Sequence, residues 1–279
     1  MDLQKIKDKM IQDLHEQIPE INNENIKAFS ELPSKKNSVI NLAFNKKPSK
    51  LLQEVVVKIF NNKNFANEIN ILTRLKNQKI QVPSILFFQK PYLILEKVKG
   101  INLCDFINDK LKGTQKLEDL DLEIRNQIIN SIEKLAELLA QLHEKNFVRK
   151  KKESKMKFVL CKGDTRLRDF IYDLTNNVIY ALDFEDAYEG NHMDDLAWIC
   201  TALLDTNPGL FEMEEPKHKV DLINKFLRKY YRINHNFPFD FNYLAEKIIE
   251  YLNIVIERRD LHYGIISKEK LINNISKEV

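Results

Sequence analysis

The stretch from Cys161 to Ala197 constrains the fold most, because it joins two acidic clusters through an alternating apolar segment. The first cluster runs from Asp164 to Asp169, the second from Asp183 to Asp186, and the pair Asn176-Asn177 lies between them. Alternating apolar residues around an Asn pair predict a hairpin flanked by two loops that bring the carboxylates together. Phosphoryl transfer needs such a layout, because one carboxylate orients the attacking hydroxyl while others hold Mg²⁺. Two solvated acidic loops are the alternative.

Charge argues against a protein dedicated to nucleic acid. The formal net charge of the 279 residues is only +3, whereas nucleic-acid binders carry a pronounced basic excess. The basic run at residues 145–157, centred on Arg149–Lys152, is interpreted as a solvated loop. A docking patch for an acidic substrate or RNA is the alternative.

Cysteine usage and the N-terminus indicate the compartment. Cys104, Cys161 and Cys200 lie far apart and form no paired motif, which argues against a zinc site or a disulfide framework and for a reducing environment. The first residues carry charges where a signal peptide needs an apolar run. No apolar stretch approaches the length of a membrane-spanning helix. We therefore expect a cytoplasmic monomer without a membrane partner.

The first part of the chain predicts a helix and then a sheet. Residues 3–29 are polar with sparse apolar positions and predict a helix, and Asn64–Leu75 predicts another by its spacing. Strands are expected at 39–44, 55–60, 85–88 and 92–96. Lys58 interrupts the apolar run at 55–60 and needs a partner, because an unpaired buried ammonium is costly. Glu68 is placed to lie on the face of the second helix that meets the sheet.

Helical patterns dominate after Gly100. Apolar stripes recur within residues 128–142, 220–230 and 243–255, and the chain from Asp194 onward is largely helical in pattern. A mostly β segment followed by a mostly α segment predicts an α+β fold with two lobes. We expect a small β-rich lobe at residues 1–97 and a larger, mainly helical lobe at 98–279.

Together these motifs resemble the protein-kinase-like phosphotransferases, most of all the branch of aminoglycoside phosphotransferases and choline kinases. The family's catalytic loop is His-Gly-Asp, four residues, then Asn, and this chain has Lys162-Gly163-Asp164 and then Asp169. The family's metal loop is matched by Asp183-Phe184-Glu185 and then Gly190–Ala197. A Leu-x-x-Leu-His pattern precedes the catalytic loop at Leu139–His143.

The resemblance implies roles for the acidic loops. Asp164 would accept or orient the proton of a substrate hydroxyl. Asp183 would bind Mg²⁺ or Mn²⁺ between the phosphates of ATP, and Asp169 stands where the family has a second metal ligand. Asp195 would brace the catalytic loop.

Roles for the first lobe follow from the same resemblance. Lys58 would contact the α- and β-phosphates and pair with Glu68. The segment Tyr92–Gly100 resembles the hinge between the lobes, where the backbone carbonyl of Glu96 and the N–H of Val98 would bind adenine.

Arg166 has two interpretations. It lies two residues after Asp164, where a guanidinium can stabilise charge on the transferring phosphoryl group. Alternatively, Arg166 and Arg168 form structural salt bridges to Asp169 or Asp173.

Three departures from the family pattern bear on activity. Lys162 replaces His, Asp169 replaces Asn, and the expected turn at residues 33–38 contains no glycine. With Asp169 charged, the carboxylates of Asp164, Asp169 and Asp183 would crowd one site and repel each other without a cation.

The sequence thus predicts a kinase that moves the γ-phosphate of ATP to a hydroxyl of a small molecule. Glu185 favours a small molecule, because protein kinases have Gly at this place after Asp-Phe. An atypical Ser/Thr protein kinase is one alternative. A pseudokinase that binds nucleotide without turnover is the other, and the replacements at Lys162 and Asp169 motivate it.

Overall fold

A computed structural model describes residues 3–34, 36–61, 64–148, 158–213, 216–262 and 275. The chain divides into two compact units, Met1–Val98 and Lys99–Val279, next to the boundary expected after residue 97. Lys35 of the expected glycine-free turn, and residues 149–157 of the basic run, lie outside the described residues.

The first unit is an antiparallel sheet with two helices. Its five strands are in the order β1-β2-β3-β5-β4, and helix α2 connects β3 to β4. The elements are α1 (Leu3–Leu14), β1 (Ile26–Leu32), β2 (Ser38–Phe44), β3 (Glu54–Ile59), α2 (Phe65–Asn77), β4 (Ile85–Gln89) and β5 (Tyr92–Glu96). Apolar side chains of α1, β2 and β3 form one buried core, so α1 covers a face of the sheet.

The predicted helix over residues 3–29 is wrong in its second half. Helix α1 ends at Leu14, and the edge strand β1 begins at Ile26. Between them, the Asn22 side chain accepts a hydrogen bond from the Asn25 N–H at 2.9 Å. Asn side chains that bond to nearby backbone compete with helix formation. Most of β1 is exposed, so it lacks the alternating apolar pattern that would have indicated a strand.

The second unit combines helices with two small antiparallel sheets, in the orders β10-β9-β6 and β11-β8-β7. Helix α4 packs on α6, and α5 packs on α7. The helices are α3 (Leu103–Leu111), α4 (Leu122–Lys145), α5 (His192–Asp205), α6 (Lys217–Ile233) and α7 (Phe241–Arg259). The strands are β6 (Ile101–Asn102), β7 (Phe147–Val148), β8 (Phe158–Cys161), β9 (Phe170–Asp173), β10 (Val178–Ala181) and β11 (Tyr188–Asn191). The predicted class, with a β-rich unit and a larger helical one, is confirmed.

The acidic hairpin predicted from the sequence is present as β9 and β10. Val178 pairs with Asp173 in antiparallel register, and the Asp173 carboxylate accepts the backbone N–H groups of Thr175 and Asn176 at 3.0 and 3.1 Å. These bonds hold the pKa of Asp173 below its ordinary value, with the Asn176 side chain contributing most. The hairpin therefore holds the loop before β9 and the loop after β10 at the same end of its sheet.

No helix in the described part of the chain is long and apolar enough to cross a membrane.

Candidate active site

The loop between β8 and β9, residues 162–169, carries the first acidic cluster in an unusual backbone conformation. Gly163 and Asp164 have φ values of +71° and +40°. A Cβ at Gly163 would lie 2.5 Å from the backbone oxygen of Asp186, so only glycine fits here. The loop consequently lies directly against the second acidic cluster. Asp164 holds a conformation that non-glycine residues rarely adopt and that is concentrated at functional sites.

Asp195 braces this loop from the first turn of α5. Its buried carboxylate accepts the backbone N–H groups of Lys162 at 2.7 Å and Gly163 at 3.1 Å, and the hydroxyl of Thr165 at 2.8 Å. It also accepts a hydrogen bond from His143 Nε2 at 3.1 Å. Burial raises the pKa of Asp195, but the bonds from His143 and the loop outweigh it and hold the pKa below its ordinary value. Asp195 is therefore a charged anchor for the loop.

Two arginines contact the carboxylate of Asp164. Arg258, near the end of α7, places Nη1 2.8 Å from Oδ1, and Arg166 places Nη2 3.6 Å from Oδ2. The Asp164 side chain is 14% exposed, whereas both arginine side chains are 42% exposed, so the two guanidinium groups cover the carboxylate from the solvent side. Arg258 was not identified from the sequence, because it lies 94 residues away and no local pattern links it to the loop.

Lys162, which replaces the family His, is the partner of Asp169. Its Nζ lies 3.0 Å from Asp169 Oδ2, and the same oxygen accepts the backbone N–H of Arg166 at 3.1 Å. The ammonium is buried, with the rings of Phe170 and Phe184 at 5.9 and 5.8 Å. Asp169 is thus neutralised from within the loop.

This pairing corrects the structural interpretation of the arginines. The Arg166 side chain pairs with Asp164, and Arg168 lies 3.9 Å from Asp105 on α3. Salt bridges from these guanidinium groups to Asp169 or Asp173 were the alternative interpretation of the sequence. Among the described contacts, the guanidinium groups pair with Asp164 and Asp105 instead. Lys162 pairs with Asp169, and Arg166 and Arg258 pair with Asp164. These cations reduce the repulsion between carboxylates that the sequence predicted for a site without metal.

The second acidic loop, after β10, holds the candidate metal ligands. Asp183 also has a positive φ, +60°, and its carboxylate oxygen lies within 4.8 Å of that of Glu185. The backbone N–H of Leu182 donates to the carbonyl of Asp169 at 2.8 Å, which joins this loop to the first one. Carboxylate oxygens are the ligands that Mg²⁺ and Mn²⁺ prefer, so the chemistry of these side chains suits a divalent cation.

In the first unit, Lys58 and Glu68 form a buried ion pair. Lys58 Nζ on β3 lies 2.6 Å from Glu68 Oε2 on α2, and it lies 4.9 Å from the ring of Phe60. Glu68 is therefore the partner that the sequence required for a lysine in an apolar strand. A lysine held in this way presents positive charge with little conformational entropy left to lose.

The expected adenine-binding residues lie at the end of β5. The Glu96 carboxylate accepts the N–H and hydroxyl of Ser84 at 3.1 and 2.7 Å. Its side chain is therefore held at Ser84, immediately before β4. Val98 follows the strand, which ends at Glu96, and adenine binding there stays a prediction.

Comparisons with known proteins identify the fold. No protein-family model and no curated protein sequence matches this chain. The structure of choline kinase LicA from Streptococcus pneumoniae matches 97% of this chain and 96% of its own, with 13% identity and a TM-score of 0.57. An aminoglycoside phosphotransferase from Streptomyces rimosus matches 91% of this chain and 98% of its own, with 13% identity and a TM-score of 0.57.

A third solved structure, amicoumacin kinase hAmiN in complex with AMP-PNP, Ca²⁺ and Ami, matches 98% of this chain and 94% of its own. The identity is 14% and the TM-score 0.54. The resemblance predicted from the motifs is therefore confirmed at the level of the fold. The chain has the two-lobed fold of the protein-kinase-like phosphotransferases, as it occurs in choline kinase and aminoglycoside phosphotransferase structures.

Proposed function

We propose that the protein is a kinase that transfers the γ-phosphate of ATP to a hydroxyl group of a small molecule. The catalytic loop is the observation that carries this proposal. It holds Asp164 in a left-handed backbone conformation and is fixed by the buried Asp195. That geometry costs free energy and needs several hydrogen bonds to maintain, which is expected of a residue that must meet a reacting group at a defined position.

In the proposed reaction, the acceptor oxygen forms a bond to the γ-phosphorus as the bond to the β,γ-bridging oxygen breaks. The hydroxyl proton passes to the Asp164 carboxylate, and ADP leaves. Arg166, whose guanidinium already contacts Asp164, would stabilise charge on the transferring group. Lys58 would hold the α- and β-phosphates, with its position fixed by Glu68.

Asp183 and Asp169 are the proposed ligands of Mg²⁺ or Mn²⁺, and Glu185 lies close enough to Asp183 to contribute. A bound cation would neutralise the phosphates and the charge that develops between them. The hydrogen bonds of Asp169 described above go to Oδ2, so Oδ1 is the oxygen proposed to meet the metal.

The neighbouring structures support a small-molecule acceptor. They are a choline kinase, an aminoglycoside phosphotransferase and an amicoumacin kinase, and the last of these is in complex with AMP-PNP and Ca²⁺. Glu185 after Phe184 supports the same branch.

A nucleotide-binding module without turnover is the second candidate. It is favoured by the ion pairs on Asp164 and Asp169, since a carboxylate that is already paired is a weaker proton acceptor and metal ligand.

An ATP-consumption assay with Mg²⁺ or Mn²⁺ tests the proposal, using a panel of alcohols, amino alcohols, sugars and nucleosides. We expect turnover with a member of the panel and phosphate on that compound. Asp164→Asn should abolish most of this turnover. Asp109→Asn makes the same chemical change at an exposed residue of α3 and should leave the turnover unchanged. Nucleotide binding without ATP consumption would favour the binding module, and phosphate on protein would favour a protein kinase.

A further inference from the structure

Arg258 occupies a defined position beside the proposed proton acceptor. Its guanidinium lies 2.8 Å from Asp164 and 5.7 Å from the ring centre of Trp198. Trp198 is itself stacked on Tyr251, with ring centres 4.1 Å apart and planes at 8°. Arginine stacks well on aromatic faces. The guanidinium is thus held from two sides, by a carboxylate and by an aromatic ring.

The Arg258 side chain nevertheless remains 42% exposed. A guanidinium has five N–H donors, and the bond to Asp164 uses only one of its nitrogens. Donors are therefore left to face a molecule that approaches Asp164 from solvent.

Among the described residues, two guanidinium groups contact one carboxylate of the catalytic loop. Asp164 is shared between Arg258 and Arg166. A hydroxyl that reaches Asp164 would thus come next to a cation whose charge is only partly neutralised.

We propose that Arg258 selects the acceptor by binding an anionic group, a carboxylate or a phosphate, that lies close to the reacting hydroxyl. The inference rests on the proposed function and adds the substrate class. A cationic acceptor such as choline would be repelled by the guanidinium at the position where its hydroxyl must bind. A hydroxy acid or a hydroxylated phosphate ester would instead gain charge-assisted, bidentate hydrogen bonds.

A purely structural salt bridge between Arg258 and Asp164 makes a different prediction. Loss of a structural contact would affect all acceptors alike, through the position of Asp164. Loss of a recognition contact would raise KM for anionic acceptors much more than for neutral ones.

Equilibrium binding provides the first test and does not depend on turnover. The sequence contains a single tryptophan, Trp198, so its fluorescence reports on the environment of Arg258. We would titrate D-glycerate, glycerol 3-phosphate, glycerol and choline into the wild type, Arg258→Gln, Arg258→Lys and Arg259→Gln. Arg259 is the matched control, because it is adjacent and equally charged but pairs with Asp205 and Glu212.

We expect the anionic probes to change the fluorescence of the wild type and of Arg259→Gln. In Arg258→Gln they should bind about tenfold more weakly or worse, with partial recovery in Arg258→Lys. Choline and glycerol should bind weakly to all four proteins. Tighter binding of choline than of both anions by the wild type would overturn the inference, as would unchanged anion binding in Arg258→Gln. The wild-type comparison decides the matter if the Gln variant fails to fold.

Steady-state ATP consumption with the same probes provides the second test. A rise in KM in Arg258→Gln that is much larger for the anionic probes than for glycerol supports the inference, and an equal loss for all probes contradicts it. If no acceptor supports ATP consumption, the proposed function fails. The anion site at Arg258 is then still decided by the fluorescence titrations.

Discussion

The ion pair between Lys162 and Asp169 makes the sharpest prediction. Removing one partner should destabilise the second unit much more than removing both. Asp169→Asn leaves the Lys162 ammonium, 1% exposed, facing a neutral amide. A buried charge without its partner is strongly destabilising, whereas a buried pair replaced by apolar or neutral groups is often tolerated.

The distance sets the magnitude. Across 3.0 Å, the Coulomb attraction of two unit charges is about 5.5 kcal/mol at an effective dielectric constant of about 20. Desolvation of Lys162 offsets part of this, and the 12% exposure of Asp169 reduces it further. We expect Asp169→Asn to lower the free energy of unfolding by about 3 kcal/mol. Because the double variant should be more stable than either single variant, the coupling energy between the two positions should exceed about 3 kcal/mol.

Urea unfolding followed by Trp198 fluorescence measures this cycle, because the single tryptophan lies in the second unit. The proteins are the wild type, Asp169→Asn, Lys162→Met and the double variant, and we expect the double variant to recover most of the loss. Glu250→Gln is the matched control. It breaks an exposed pair with Lys247 at 2.7 Å and should cost less than about 1 kcal/mol. A coupling energy near zero, or an Asp169→Asn loss no larger than that of Glu250→Gln, would refute the argument.

Four further predictions concern Asp164, Lys58, the proposed metal ligands and Lys219. Asp164→Asn should lower turnover by about 10² or more while nucleotide still binds, as for a positioned base; wild-type turnover would remove Asp164 from that role. Lys58→Ala should raise KM for ATP by about tenfold or more, because the phosphates lose a fixed cation; unchanged ATP kinetics would make the pair with Glu68 purely structural. Mg²⁺ or Mn²⁺ should raise Tm without nucleotide, and Asp169→Asn should shrink this response; equal gains in both proteins would show that Asp169 is not a ligand. Lys219 on α6 is fully buried, and its Nζ has no hydrogen-bond partner among the described residues. Burial lowers its pKa from 10.5 to about 8, so Lys219→Met should stabilise the protein by about 3 kcal/mol at pH 7. Thermal melts should show this gain fading between pH 8 and 10.5, and a gain that does not depend on pH would contradict the cause.

The fold was largely predictable because its signals are local. Strand β3 is rich in β-branched residues, and helix α2 has apolar residues at helical spacing. The turn at Asn176 is specified by residues within the hairpin. The ion pair between Lys58 and Glu68 was expected from the resemblance to the kinase-like family, and the structure contains it. Strand β1 was missed because it is an exposed edge strand with little apolar alternation.

Within the second unit, the partners of the acidic residues were predicted less well than the residues themselves. Asp164, Asp169 and Asp183 were recognised from their motifs. The partner of Asp164 on α7 comes from tertiary packing, and the sequence offers no local pattern for a contact over 94 residues. Lys162 is only seven residues from Asp169. However, the pairing depends on the loop turning back through Gly163, and nearby arginines were the more obvious partners.

The ion pair between Lys162 and Asp169 changes the interpretation of the two replacements in the family motif. Considered singly, Asp in place of Asn adds a negative charge beside the phosphates, and Lys in place of His removes a neutral or weakly basic ring. Together, the two residues add one charge of each sign and place them 3.0 Å apart in the same loop. The net charge offered to nucleotide and metal is therefore close to that of the neutral arrangement. The two departures are accordingly one coupled exchange, in which the Lys162 ammonium offsets the charge that Asp169 adds to the loop.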